Sequence, residues 1–168
     1  MKEGARRDFL VVTGEELKED CTGSRQMVHI LDITQENAPL GVSTWTVPEA
    51  SGHFCSRGGR FGTHSSNESF APVFYNRVMF FTHFNAGVRA VDVRDPFHPQ
   101  EIGYFIPAVT SKTMQRCLPD ATPPCRQVIQ TNNVEIDDRG YIYIVDRAGT
   151  GLHILRLTGP AAALANLP

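Results

Sequence analysis

The chain has 168 residues, enough for one domain with its own core, and its 41% apolar and 20% charged content describes a globular protein rather than a disordered one. A formal net charge of -2, with basic residues scattered along the chain, gives no electrostatic basis for binding nucleic acid or an anionic membrane. No stretch approaches the roughly 18 consecutive apolar residues of a membrane span.

Strand signals dominate from the start. Residues 9–13 (FLVVT) form a short β-rich run, and a charged, Gly/Ser-containing connection, residues 15–26, leads to the segment MVHILDI at 27–33. A Pro-marked turn at 37–39 then opens a further strand over 40–47. Residues 48–62, with glycines at 52, 58, 59 and 62, read as a long loop. A polar segment follows at 63–69. After it come a strong hydrophobic strand at 77–84, a turn, and GVRAVDV at 87–93; a second Pro-marked turn at 95–99 leads to a strand over 101–106. Residues 107–126, rich in proline, read as a second long loop. The order then recurs: a polar segment at 131–137, a hydrophobic strand at 141–146, and GLHILRL at 151–157. The small-residue stretch 159–168 reads as a tail. Gly87 and Gly151 stand where a tight hairpin wants positive φ.

The segments starting at 27, 87 and 151 are copies of one strand, about sixty residues apart, with Val28, Val88 and Leu152 in register and Ile33, Val93 and Leu157 likewise. Such a period marks units that bury their apolar faces only by stacking on a neighbour. The unit is a polar inner strand, a hydrophobic hairpin and an outer strand, the pattern of a propeller blade. The expectation is an all-β fold: a partial β-propeller of about two to three four-stranded antiparallel blades, comprising a blade remnant at 9–47, a blade at 63–106 and a blade at 131–158. An arc of blades leaves open faces, so further N-terminal blades or self-association are expected to cover them.

The strand motifs VHILD at 28–32 and VRAVD at 88–92, with FCSRGGRFGTH at 54–64, NAGVRAVD at 85–92 and DRGYIYIVD at 138–146, resemble the LVIVD-repeat family of β-propellers. The resemblance covers about residues 9–159 and implies a propeller, often exported. The third copy departs from it at Arg156, where the other two have Asp32 and Asp92.

The four cysteines, Cys21, Cys55, Cys117 and Cys125, lie in loop-like surroundings, which suits an oxidising compartment and hence an exported, periplasmic or extracellular protein. Cys117 and Cys125 are the expected pair, closing a short proline-containing loop; four unpaired thiols are the other reading. No Cys/His spacing for structural zinc is present.

Polar residues gather on the two inner segments. His64 and Glu68 on one, with Asn132 and Glu135 on the other, form a candidate ligand set for a cation in a central channel. Calcium would use the Asn and Glu oxygens; a transition metal would use His64 with a carboxylate. The bland account of the same residues is a solvated channel wall. Arg57 and Arg60, flanking Gly58-Gly59, are candidate anion contacts. No nucleophile elbow, Walker motif or dinucleotide motif is present. Two classes of function follow: a binding or scaffold module taking a protein, peptide or glycan ligand, and a metal-dependent hydrolase or oxidoreductase working at the channel mouth.

Overall fold

The computed structural model describes residues 6–118, 120 and 122–165. It is all-β, built of small antiparallel sheets. The first sheet joins β1 (Phe9–Thr13), β2 (Val28–Asp32) and β3 (Leu40–Trp45) in that order. The second joins β4 (Val78–Thr82), β5 (Val88–Asp92) and β6 (Gln100–Phe105). A two-stranded ribbon follows, β7 (Gln115–Cys117) with β8 (Cys125–Gln127), and then a third sheet of β9 (Thr131–Ile136), β10 (Tyr141–Asp146) and β11 (Gly151–Arg156). A one-turn helix, α1 (Gly159–Ala162), occupies the start of the expected tail. The Pro-rich segment 107–126, expected as a loop, carries the ribbon, whose paired ends are Cys117 and Cys125.

The three units share one register. Phe9, Val78 and Tyr141 face Asp32, Asp92 and Arg156 across their hairpins. The same irregularity recurs in two of them: the ladder slips between Ile30 and Leu31 and again between Ala90 and Val91, so that Val42 and Ile102 are the extra residues of equivalent bulges. Gly87 and Gly151 both take positive φ, 78° and 103°, as the hairpin requires. At Gly87 the backbone of Phe105 and Ile106 packs where a Cβ would stand, so glycine is needed there for space as well.

Strand alternation lets the middle sheet serve two neighbours. Met79, Phe81, Val91 and Val93 point to the first sheet, meeting Val11, Val28 and Trp45. Val78, Phe80, Val88 and Ala90 point the other way and pack with Val134, Ile136, Ile142 and Ile144 of the third sheet. Burying each such side chain is worth about 1.5–3 kcal/mol. A third apolar cluster, Val47, Phe54, Phe61 and Ala86, anchors the 48–62 segment, which forms two 3-10 turns. At the two ends of the series the corresponding faces are open: Leu10 and Val12 on one, Val145, Leu152 and Ile154 on the other.

The segment 63–69 differs from the expected inner strand. It follows β4 with backbone bonds from His64 N to Thr82 O (3.1 Å), Thr82 N to Ser65 O (2.9 Å) and Asn67 N to Phe80 O (3.1 Å). Side chains interrupt the ladder, however: Thr82 Oγ1 accepts from Ser65 N at 3.0 Å and Asn67 Oδ1 accepts from Phe80 N at 2.9 Å. Short polar side chains compete with ladder bonds, and only an isolated bridge, Ser66 to Phe81, survives as β structure. The middle unit is therefore a three-stranded sheet with an irregular inner edge rather than four regular strands.

Two disulfides, Cys21–Cys55 and Cys117–Cys125, account for all four cysteines. They are compatible with an exported protein. Among the described residues no helix is long and apolar enough to cross a membrane.

Candidate functional site

The inner edges of the three sheets are stitched to one another. Thr63 Oγ1 donates to Gly14 O (2.7 Å) and Glu16 N to Thr63 O (3.2 Å), joining the end of β1 to the 63–69 segment. Ser65 Oγ donates to Asn132 O (2.9 Å), Thr82 Oγ1 donates to the same carbonyl (2.6 Å), and Thr131 N donates to Phe84 O (3.1 Å), joining that segment and β4 to β9. These bonds bring residues from four separate stretches of chain together along one polar edge.

Its centre is the carboxylate of Glu15. Arg60 NH1 lies 3.3 Å from Glu15 Oε1, His64 Nε2 3.6 Å and Arg147 NH1 3.8 Å. The floor is the ring of Phe84, fully buried and held at a φ of 41°. The edge of His64 meets it at 5.2 Å between ring centres, and the guanidiniums of Arg60 and Arg147 lie 5.5 and 5.9 Å from its centroid. A second carboxylate, Glu19, stands 4.0 Å from Arg60 Nε and 3.9 Å from Arg116 NH1 of the ribbon. In direct ion-pair contact, three guanidiniums thus meet two carboxylates, leaving one positive charge in surplus. Burial lowers the pKa of His64 below the usual imidazole value; the Glu15 carboxylate only partly offsets this, and Arg147 and Arg60 add to the lowering. The ring is therefore neutral at pH 7.

The Arg60 backbone is locked from the far side. Its N–H donates to Gln130 Oε1 (3.0 Å), and its carbonyl accepts from Gln130 Nε2 (3.3 Å) and Asn85 N (3.2 Å). Gln130 is fully buried, and Asp146 Oδ2 accepts its N–H at 2.7 Å. Several buried polar atoms around the cluster have no protein partner: His64 Nδ1, Asn132 Oδ1, Glu19 Oε2 and Arg116 Nε. Such atoms are costly to leave unpaired and mark a place built for polar company.

The expected ligand set is split into two pairs. His64 and Asn132 are neighbours within the cluster, bridged by the Ser65–Asn132 bond. Glu135 is engaged elsewhere on the same edge, its carboxylate accepting from Ser69 Oγ (2.6 Å), Ser69 N (3.3 Å) and Glu68 N (3.3 Å). The Glu68 side chain is exposed there. Among the described residues no three His, Cys, Asp or Glu side chains are grouped to hold a metal ion. The two arginines also part company: Arg60 joins the cluster, while Arg57 Nε donates to Gly52 O (2.8 Å) and its guanidinium covers Phe54 at 4.5 Å. Glu15 and Arg147 belong to the site without having been expected there. Register alignment matches His83 with Asp146 and Phe84 with Arg147, so the repeat gives no signal for Arg147. Nothing in the sequence near Glu15 distinguishes it from the other charges of its loop.

His83 is a different case, fully buried between Trp45 and Phe61. Its Nε2 accepts a long bond from Val47 N at 3.5 Å and meets Thr46 Oγ1 at 3.3 Å, the role of a hydrogen-bonded core residue.

Comparison with protein families finds no family model that matches this chain, and comparison with curated proteins finds no match either.

Proposed function

We propose that the chain is a run of blades of an LVIVD-repeat β-propeller, exported, and that it works as a binding module whose ligand is received at the inner edge around Glu15, Arg60, His64 and Arg147. The observation that carries this reading is the shared register of the three units. A common register makes the inner edges coincide, so that residues far apart in sequence meet on one face. The two inserted segments lie at that same face. Asp20 N donates to Gly59 O at 2.9 Å, and Arg126 of the ribbon donates to Ser56 O. Loops held on a rigid scaffold are where recognition residues concentrate. The bridge from Phe84, just past β4, to Thr131 of β9, with the irregular 63–69 edge beside it, supports the blade reading, since the inner elements 63–69 and β9 are polar.

A panel of glycans, peptides and small organic acids, screened against the full chain, tests the reading. Ligands recovered by the wild type are expected to be lost on Arg147→Glu and retained on Leu152→Ser, which alters an exposed residue of β11 that makes no contact in the cluster of Glu15, Arg60, His64 and Arg147. Ligands that ignore Arg147 and follow Leu152 would overturn it. A crystal structure of the full chain checks the architecture.

A further inference from the structure

We propose that Arg60, Arg147 and His64 form a carboxylate-binding site that Glu15 fills from within the chain, an external carboxylate competing with it for the same donors. The proposal rests on the inner edge being the ligand face and names what that face takes.

Three donors from three stretches of chain converge on one oxygen of Glu15, yet at 3.3, 3.6 and 3.8 Å none makes a short charge-assisted bond, which would lie near 2.7–2.9 Å. Two of the donors, Arg60 and His64, are enclosed, while Glu15 and the third donor, Arg147, face solvent. The Arg60 and His64 side chains are 23% and 16% exposed, whereas that of Glu15 is 41% exposed. The donors are also held in place without Glu15: Arg60 by Gln130 on its backbone and by the Phe84 ring, His64 by the Phe84 edge. A site whose geometry does not depend on its occupant is preorganised for exchange.

Glu15 is built as an occupant rather than a strut. Its backbone is pinned on both sides, through Gly14 O to Thr63 Oγ1 and through Glu16 N to Thr63 O, so the main chain stays while the side chain is free to swing into solvent. On its departure Arg147 loses its Glu15 partner and Arg60 keeps only Glu19, 4.0 Å away, so an incoming carboxylate restores the lost pairing. Paired guanidiniums suit planar carboxylates. Glu19, 4.0 Å from Arg60, disfavours a dianion such as phosphate.

The test follows the His64 ring resonances by NMR in the full chain during titration with acetate, with a capped aspartyl dipeptide and with inorganic phosphate. The first two distinguish a free acid from a peptide side chain as the source. Glu15→Gln is expected to lower the apparent Kd for a carboxylate at least tenfold, because the competitor no longer holds the site; Glu15→Ala should do the same. Arg147→Gln, placed on Glu15→Gln, should reverse the gain; its side chain is 39% exposed, and a CD spectrum confirms that the fold persists. Equal carboxylate affinity in wild type and both Glu15 variants would overturn the proposal, as would tighter binding of phosphate than of carboxylate. Neutral ligands that need Arg147 but ignore Glu15 would sink the carboxylate assignment while leaving the binding face intact. If no ligand of any kind needs Arg147, both fall.

Discussion

Removing the two disulfides one at a time should have unequal effects, and the difference follows from loop size. Cys21 and Cys55 are 34 residues apart, Cys117 and Cys125 only 8. In the chain-entropy account a cross-link restricts the unfolded ensemble more as the loop it closes lengthens, giving about 4 kcal/mol for the first and about 2.5 kcal/mol for the second. Cys21 and Cys55 also pack against the cluster of Val47, Phe54, Phe61 and Ala86, so their loss removes contacts as well. For a domain of 168 residues the melting entropy is on the order of 0.35 kcal/mol per degree, so the expected falls in Tm are roughly 11 °C and 7 °C. The pairs Cys21→Ala/Cys55→Ala and Cys117→Ala/Cys125→Ala, each with the other bridge kept oxidised, give the comparison by calorimetry. The reasoning is refuted if the ribbon pair costs as much as the long-range pair. Unchanged Tm in both variants would mean that neither bridge constrains the unfolded chain.

Acidification should destabilise the fold through His83, whose pKa burial lowers to about 3, with the nearby Arg89 charge acting in the same direction. Between the unfolded value near 6.5 and about 3 the unfolded chain binds a proton that the folded chain refuses, so stability falls as pH drops, by up to ~1.4 kcal/mol per pH unit; His83→Gln should flatten urea-derived stability between pH 7 and pH 5, and an unchanged slope would remove His83 from the account. Gly87→Ala should cost roughly 3 kcal/mol or more, because a Cβ meets the Phe105 carbonyl at a positive φ, while Gly151→Ala, with open space around it, should cost only about 1 kcal/mol. Equal losses at these two equivalent positions, measured by denaturant midpoints, would show that φ alone and not the close approach governs them.

The parts of the fold legible in the sequence are those where one periodicity serves one purpose. VHILD, VRAVD and GLHIL alternate, and each became the middle or outer strand of a hairpin in a common register. Cys117 and Cys125 were legible because few residues separate them. The Cys21–Cys55 bridge was not, since it joins two loops whose approach is decided by Asp20 on Gly59 and by apolar packing. The ribbon β7–β8 lay hidden because three-residue strands carry no period. The 63–69 edge misled for a physical reason: Ser65, Asn67 and Thr82 offer the backbone partners that a regular strand would supply. For the site, polarity on the inner segments pointed to His64 and Asn132. It could not say that Glu135 would be taken by Ser69, or that a loop carboxylate would sit among the cations.

The uniform register has a consequence for how such a chain can change in length. In the middle sheet, residues 91 and 93 serve the preceding neighbour and residues 88 and 90 the following one; the third sheet offers Leu155 and Leu157 to the middle sheet by the same rule. Donor and acceptor surfaces are therefore of fixed kind at every joint. A duplicated middle unit inserted at residue 62 would set Val78, Phe80, Val88 and Ala90 of one copy against Met79, Phe81, Val91 and Val93 of the next, apolar against apolar but a pairing found at neither existing joint. Deleting the middle unit would set Val11, Val28 and Trp45 against Val134, Ile136, Ile142 and Ile144, which now meet only the middle sheet, so the fit at the new joint would rest on repacking.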